Sequence, residues 1–182
     1  MAKLVSKIYG DALFESALDG QILGDVAEEV KALEDILREN PDLMALLTHP
    51  KIVKEEKIEV IKNIFSGRVS DELMGFLVTV VEKDRQEDLM AICDYFIARV
   101  KEFNKIGVAH VTSAVALTDA QKLQIRERLL ETTSYVEFEL HYHVDPSLIG
   151  GLVIRIGDRV VDSSVKTQLE ELTRDLMKLQ LA

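Results

Sequence analysis

The sequence predicts an α+β protein, with an N-terminal six-helix bundle followed by a small C-terminal α/β domain that has a short sheet and a terminal helix. Up to residue 105, apolar residues recur every three or four positions, the period of helices with one buried face. From residue 106, apolar and polar residues alternate, the period of strands. Between residues 145 and 162, turn residues interrupt two branched-aliphatic runs, which is typical of a β-hairpin. We therefore predict domains at residues 1–105 and 106–182.

Six amphipathic helices account for the first domain, and turn or capping residues separate them. The first helix ends at Gly20 and the second at Asn40. We expect Asn40 to cap the third helix and Pro41 to occupy its first turn. The fourth ends at Gly67, and Ser70 caps the fifth. The sixth continues to the point where the strand period begins. Short antiparallel helices of this kind pack as a bundle.

The second domain begins with a strand that starts at residue 106. Thr118 with Gln121 three residues later forms a capping box, which opens a helix. A second alternating strand spans Tyr135 to Val144. The order strand, helix, strand, hairpin, helix predicts a small α+β domain.

The hairpin and the terminal helix are predicted from turn chemistry. Asp145-Pro146 opens a turn, and Gly150-Gly151 permits a backbone bend or a close chain approach. Gly157-Asp158 is a two-residue connector suited to a primed turn. Ser163 and Ser164 offer an N-cap for the last helix. Its expected core stripe consists of Val165, Leu169, Leu172 and Leu176.

Composition excludes several classes of function. The formal net charge of −10 disfavours nucleic acid and adsorption to an anionic membrane, because both present negative charge. No apolar stretch approaches the roughly 18 residues of a spanning helix, so we expect no direct membrane insertion. Cys93 is the single cysteine, which excludes an internal disulfide and agrees with a reducing compartment. The N-terminus lacks signal-peptide and transit patterns, so we expect the chain to remain where it is made.

The residues do not favour a catalytic, metal or cofactor site. His141 and His143 share a strand face, and His110 is a third candidate ligand. Two histidines at this spacing are, however, common on a solvated strand, and no cysteine is near. The glycines lack the spacing of a phosphate loop or a dinucleotide fingerprint. Cys93 falls in an apolar helix stripe without a basic partner in view. We expect no enzyme, no metal and no cofactor.

Two helices carry more apolar residues than one buried face needs. In the first helix these run from Leu4 to Leu18, and in the fifth from Leu73 to Val81. Deep burial in the bundle and a groove that receives a partner helix both explain this excess, and the residues alone leave the two interpretations open.

Two segments resemble a known family. The run from Asp145 through Ser164 resembles the C-terminal signature of the delta subunit of the F-type ATP synthase, a relative of the mitochondrial oligomycin-sensitivity-conferring protein. Tyr9-Gly10-Asp11-Ala12-Leu13 resembles the first-helix motif of that family, usually Tyr-Ala-x-Ala-Leu, with Gly10 at the place of the usual alanine. The resemblance covers essentially the whole chain.

The resemblance implies a non-catalytic stator subunit at the cytoplasmic face of the bacterial plasma membrane. It implies that the bundle binds N-terminal helices of alpha subunits and that the second domain binds the C-terminal ends of peripheral-stalk b subunits. We expect the alpha-binding groove to be formed by Tyr9, Ala12, Leu13, Leu77, Val78 and Val81. The structural signature residues are Asp145, Gly150, Gly151, Gly157 and Asp158, and the expected stalk contacts are Arg155, Arg159, Leu176 and Leu179.

Two other functions remain as alternatives. A small metal- or nucleotide-binding enzyme would use the histidine strand and the glycine bend. A general helical adaptor unrelated to the synthase would use the same apolar helices but ignore alpha-subunit peptides.

Overall fold

The structure, a computed structural model, describes residues 2–180, with side chains described for residues 4–174. The chain divides into two compact units, Met1–Phe103 and Asn104–Ala182, so the division lies two residues before the boundary expected from the sequence. The helices of the first unit are α1 (Ala2–Asp19), α2 (Leu23–Glu39), α3 (Pro41–Thr48), α4 (Lys54–Phe65), α5 (Asp71–Glu82) and α6 (Leu89–Phe103), with a 3-10 turn at Gln86–Asp88 before α6.

The first unit is held together by one large aliphatic core. Every one of its six helices contributes at least one buried apolar side chain. Leu33, Leu73, Leu77, Ile92 and Phe96 are among the most deeply buried. Leu73 and Leu77, and likewise Ile92 and Phe96, lie four residues apart on their helices, so the helical period in the sequence places them on one buried face.

Gly10 is buried where α1 approaches α6. A β-carbon at this position would overlap with the Tyr95 ring of α6. The Tyr95 hydroxyl donates to Asp11 Oδ1 at 3.0 Å, which ties the two helices together beside that contact. Glycine, in place of the alanine usual in the resembled motif, therefore permits a close approach, and α1 continues through it without a break.

Asn40 does not cap α3, contrary to the prediction. Its side chain makes no hydrogen bond to the start of α3; instead its amide Nδ2 donates to the Ile36 carbonyl at 2.8 Å. The Asn40 backbone N–H donates to the same oxygen at 3.0 Å. Asn40 thus satisfies the end of α2, while Pro41 begins α3, where it needs no donor.

The predicted cap of α5 is confirmed. Ser70 Oγ accepts a hydrogen bond from the Leu73 N–H at 3.3 Å. The Glu29 carboxylate of α2 accepts from the Ser70 N–H at 3.0 Å and from its hydroxyl at 2.7 Å. The cap therefore also connects α2 to the start of α5.

The second unit is built on a four-stranded sheet in the order β2-β1-β3-β4. Its elements are β1 (Ile106–Ser113), α7 (Asp119–Thr132), β2 (Glu137–Val144), β3 (Leu152–Ile156), β4 (Arg159–Asp162) and α8 (Val165–Gln180), with a 3-10 turn at Pro146–Leu148. β1 is parallel to β2 and antiparallel to β3, and β3 pairs with β4 as a hairpin. The predicted capping box of Thr118 and Gln121 opens α7. The architecture confirms the predicted α+β class.

The core of the second unit is small. Buried Ala109, Leu129 and Phe138 form its centre, with partly buried aliphatic side chains from α7, β2 and β3 around them. We call the sheet face that packs against α7 the inner face and the opposite face the outer face. A β-carbon at Gly107 would overlap with the Phe138 ring, so glycine allows Phe138 to lie over β1.

The glycine bend and the hairpin have the predicted form. Asp145 Oδ1 accepts from the Ser147 N–H at 2.9 Å and opens the turn. Gly151 has φ +80°, and a β-carbon there would overlap with the Ser163 carbonyl oxygen. In the hairpin connector Gly157 has φ +54°, whereas Asp158 is not among the residues of positive φ. This is the pattern of a type II′ turn, which needs a glycine at its first central position.

The expected core stripe of α8 is not buried. Ser164 Oγ accepts from the Thr167 N–H at 3.2 Å and caps the helix as predicted. Val165 is half-buried, but Leu169 and Leu172 are 50% and 60% exposed. Helical periodicity predicts an apolar stripe correctly but does not tell whether the chain itself covers it. The side chain of Leu176 lies outside the described residues.

Candidate partner-binding surfaces

A groove between α1 and α5 is a candidate site of the first unit. It encloses about 460 Å³, with Ile8, Tyr9, Ala12, Leu13 and Ser16 on α1 and Glu72, Gly75, Phe76 and Thr79 on α5. We call this set the α1/α5 groove. Its α1 side follows one helical stripe, and its α5 side follows positions separated by three and four residues.

Half of the expected groove residues lie in this groove. Tyr9, Ala12 and Leu13 line it. Leu77 and Val81, by contrast, are only 1% and 2% exposed, because they belong to the core of the bundle. Val78 is half-buried and does not line the groove.

The residues that sequence reasoning missed on α5 are polar, small or aromatic. Glu72, Gly75, Phe76 and Thr79 share a face, but only one of them is a large apolar residue. The predicted α5 residues were all aliphatic, and two of them, Leu77 and Val81, belong to the core face of this helix. One residue in the sequence did indicate this face of α5. Gly75 lies within a helix, where glycine is unfavourable and can have a functional reason such as a bound partner.

The chemistry of the groove suits an amphipathic helix. Ile8 is 58% exposed and Leu4 is 65% exposed, one turn apart on α1. A β-carbon at Gly75 would meet nothing within 4 Å, so the groove is open above this residue. Glu72, Ser16 and Thr79 supply polar groups beside the apolar surface. An apolar floor with polar margins is the usual form of a helix-binding groove.

A larger cavity lies in the second unit, between α7, the glycine bend and β3. It encloses about 720 Å³ and is lined mainly by apolar residues, among them Val115, Ile125, Leu129, Ile149 and Leu152. Gly150 and Gly151 line it too. Ile149 is 66% exposed beside it. The inner sheet face is therefore left partly uncovered over β3.

The other predicted residues of the second unit are distributed over several places. Arg155 shares a face with His110, its register partner, so it lies on the outer face, away from the cavity. Its Nε donates to the Gly157 carbonyl at 3.2 Å. Arg159 and Asp158 are exposed at the hairpin end. The side chains of Leu176 and Leu179 lie outside the described residues.

The histidine strand shows a stacked pair. His110 and His141 are opposite each other in β1 and β2, and their ring centroids are 5.0 Å apart. His143 lies opposite Thr112. Within the described residues, no group of three histidine, cysteine or acidic side chains could hold a metal ion.

Cys93 is a buried thiol in α6, only 2% exposed. Burial is the main cause that raises its pKa to about 12, and the negative charges of Glu34 and Asp94 add to this rise. A thiol of this kind is protonated at neutral pH and is a poor nucleophile.

None of the described helices has the length and apolar character that crossing a membrane requires.

Comparison with known proteins identifies relatives along nearly the whole chain. The family model described as ATP synthase delta (OSCP) subunit matches residues 5–176. The ATP synthase subunit delta of Lachnoclostridium phytofermentans is 54% identical, with 100% of both chains covered. That of Desulforudis audaxviator is 36% identical, with 92% of each chain covered. In the cryo-EM structure of the Toxoplasma gondii mitochondrial ATP synthase hexamer, one chain is similar with a TM-score of 0.72 and 19% identity, covering 94% of this chain and 97% of that chain. At this identity the structural likeness shows the fold alone.

Proposed function

Because the chain belongs to the ATP synthase delta (OSCP) subunit family, we propose that its first unit binds N-terminal helices of alpha subunits in the α1/α5 groove. We further propose that the second unit binds the C-terminal ends of the b subunits. Members of this family are non-catalytic stator subunits of the peripheral stalk, and they link the catalytic headpiece to the b subunits. The chain is therefore a peripheral, structural part of an ATP synthase.

The mechanism is mechanical. Proton flow turns the rotor, and the torque on the headpiece must be resisted so that the alpha/beta ring does not rotate with it. A protein that performs this task needs two separate attachment surfaces and no reactive groups. The α1/α5 groove and the exposed apolar surface of the second unit would bind these partners by burying apolar area, which is the main source of association free energy.

The observation that carries the headpiece proposal is the position of the Tyr9 motif. Tyr9, Ala12 and Leu13 lie along the α1/α5 groove, beside exposed Ile8. Tyrosine is a suitable anchor because its ring is apolar and its hydroxyl takes a polar partner at the rim. A helix laid in this groove would bury Leu4 and Ile8 together.

The stalk proposal is supported by uncovered apolar surface in the second unit. Leu169 and Leu172 are exposed one turn apart on α8, and an apolar cavity of about 720 Å³ lies beside the glycine bend. An amphipathic helix from the b subunits would bury such a surface. We also propose that the complex containing this chain lies at the cytoplasmic face of a bacterial plasma membrane, since its close relatives are bacterial.

The headpiece proposal is tested by calorimetric titration of the full chain with a peptide from the N-terminus of the alpha subunit of the same synthase. We expect saturable one-to-one binding, with the peptide becoming helical. The Ile8→Asp substitution should weaken this binding roughly tenfold or more, because it places a charge in the apolar groove. Ile8 is exposed, so the fold should persist, as circular dichroism would verify.

Leu123→Asp is the matched control. Leu123 is also a 58% exposed aliphatic residue on a helix, but it lies in α7 of the second unit. It should leave alpha-peptide affinity unchanged. Binding that is insensitive to Ile8→Asp, or equally sensitive to both substitutions, would place the alpha-subunit site elsewhere. An absence of alpha-peptide binding by the folded wild-type chain would contradict the headpiece proposal itself.

A further inference from the structure

The cavity of the second unit has a positively charged edge, although the chain as a whole is acidic. The formal net charge of the chain is −10. Among the described residues that line the cavity, none is acidic, and Arg128 of α7 is the one charged side chain. Gln121 and Gln124 of the same helix add uncharged amide groups. The cavity is therefore an apolar surface that is suited to a partner with a negatively charged group.

The α1/α5 groove has the opposite charge. Among the described residues that line that groove, Glu72 is the one charged side chain. Complementary charge contributes to specificity in protein interfaces, because it favours one partner and opposes another. The two surfaces therefore favour helical partners of opposite charge.

Ile149 lies at the mouth of the second-unit cavity in a strained backbone conformation. Its φ is +66° and its ψ is −40°, and among the described residues it is the only β-branched one with a positive φ. A β-branched residue rarely adopts positive φ, and such strain is concentrated at binding and active sites. The Ile149 side chain is 66% exposed, so this strain does not serve to fill the core.

The residues on both sides hold Ile149 in this conformation. The Ile149 N–H donates to the Pro146 carbonyl at 3.1 Å, within the turn that precedes it. On the other side, the Gly150 carbonyl accepts from the Val165 N–H at 3.0 Å, which ties the bend to the start of α8. The exposed side chain is therefore presented from a fixed backbone. Preorganisation of this kind lowers the entropic cost of binding.

We propose that this cavity binds the last residues of a b-subunit chain, with the terminal carboxylate on Arg128 and the adjoining apolar side chains against Ile149. The proposal rests on the stalk proposal and deepens it, because it names the chemical group that is recognised. A chain end carries a carboxylate whatever its sequence, and the C-terminal end of a helix adds partial negative charge. Arginine is the side chain best suited to this group, because its N–H donors match the two carboxylate oxygens.

Arg128 is available for this contact. Its Nη1 lies 3.0 Å from Glu131 Oε2 on the same helix, and the two side chains are 77% and 66% exposed. An exposed ion pair of this kind contributes little to stability, so it does not compete strongly with a partner. The guanidinium also has five N–H donors, so it can bind a second carboxylate beside Glu131.

The first test compares two forms of a peptide that ends at the native C-terminus of the b subunit of the same synthase. One form has the free carboxylate, and the other has a C-terminal amide, which removes that charge. In calorimetric titration of the full chain, the amide should bind roughly tenfold or more weakly. The Arg128→Gln variant should bind the free acid as weakly as wild type binds the amide, and amidation should then have no further effect.

Arg126→Gln is the matched control. Arg126 is an exposed arginine of α7 that pairs with Glu137 and does not line the cavity. This variant should keep the full difference between the two peptides. Equal binding of both peptides by wild type would overturn the inference and leave the stalk proposal standing, whereas binding of neither peptide would contradict both. Equal effects of Arg126→Gln and Arg128→Gln would also overturn it.

The second test separates the binding role of Ile149 from a role in folding. Ile149→Gly removes the side chain, but it also removes the strain, because glycine adopts positive φ freely. Peptide affinity should therefore fall roughly tenfold or more, while the unfolding temperature of the second unit should not fall. Ile149→Leu keeps an apolar side chain and should bind like wild type. Unchanged affinity of Ile149→Gly, or a loss of stability in this variant, would contradict the anchor role.

Discussion

At the residue scale, the glycine bend provides a sharp test of backbone geometry. Gly151 has φ +80°, and a β-carbon there would overlap with the Ser163 carbonyl oxygen, which belongs to the backbone. Gly151→Ala should therefore destabilise the second unit by about 3 kcal/mol or more, since strain and overlap add. Chemical denaturation followed by a probe in the second unit would measure it.

Gly157→Ala is the matched control for this prediction. Gly157 has a similar positive φ of +54°, but a β-carbon there would meet nothing within 4 Å. The substitution should cost less, about 1 to 2 kcal/mol, which is the strain of the positive φ alone. Equal losses for the two substitutions would show that overlap with Ser163 contributes nothing.

Glu34 is a second residue with a testable effect, in this case on how folding stability depends on pH. Burial raises the pKa of this carboxyl, and a hydrogen bond and charge repulsion from Asp94 of α6 raise it further, while Arg38 opposes the rise. The folded state therefore holds the proton more tightly than the unfolded state. Its contribution to stability is present at low pH and is lost as pH rises from the usual range of glutamate through the folded pKa.

Glu34→Gln removes this dependence, because glutamine cannot ionise. The stability of the variant relative to wild type should therefore increase as pH rises through that window. Unfolding curves at several pH values would measure it, with exposed Glu39→Gln on the same helix as control. A stability difference that stays constant with pH would contradict the assignment of the raised pKa to Glu34.

At the scale of the element, the start of α5 depends on one capping serine. Ser70 Oγ accepts from the Leu73 N–H, and the Ser70 hydroxyl donates to Glu29. Ser70→Ala should cost the first unit about 1 to 2 kcal/mol, because it removes the cap and leaves the half-buried carboxylate of Glu29 with one donor fewer. Exposed Ser66→Ala, just after α4, should change stability by less than about 0.5 kcal/mol. Similar effects of both substitutions in denaturant titrations would contradict the capping role.

The α8 helix exposes the apolar stripe that the stalk proposal uses. Leu169→Asp combined with Leu172→Asp should abolish binding of a peptide taken from the C-terminal end of a b subunit. It should not lower the unfolding temperature of the second unit, because both side chains are at least half exposed. Titration with the alpha-subunit peptide serves as the control and should be unaffected. Intact binding of the b peptide by this variant would move the stalk site to another surface.

At the scale of the whole molecule, the two units differ in the size of their cores. The first unit buries apolar side chains from six helices, whereas Ala109, Leu129 and Phe138 are the buried centre of the second. Because stability grows with buried apolar area, the second unit should unfold at lower denaturant concentration. Hydrogen exchange read by mass spectrometry should show faster exchange in residues 104–174 than in 4–103.

Phe138→Ala and Phe96→Ala make this prediction specific. Both rings are buried, one in each unit. Each substitution should cost about 3 to 5 kcal/mol, and each should reduce protection only in its own unit if the units fold separately. Loss of protection across the whole chain by either variant would show that the units unfold together.

The sequence by itself determined the family, the α+β class and the order of the elements. The Tyr9 motif and the Asp145–Ser164 signature are local patterns, and the change of period near residue 105 depends only on which residues alternate. The caps at Ser70, Thr118 and Ser164 were likewise predictable, because capping involves residues within one turn of each other.

Only the tertiary structure decided which surfaces remain open. It placed Leu77 and Val81 in the core and turned the Gly75 face of α5 toward the groove. It also left the α8 stripe uncovered. Periodicity shows that a side chain needs an apolar neighbour, but it does not say whether that neighbour belongs to the same chain. That distinction depends on how elements distant in sequence pack together.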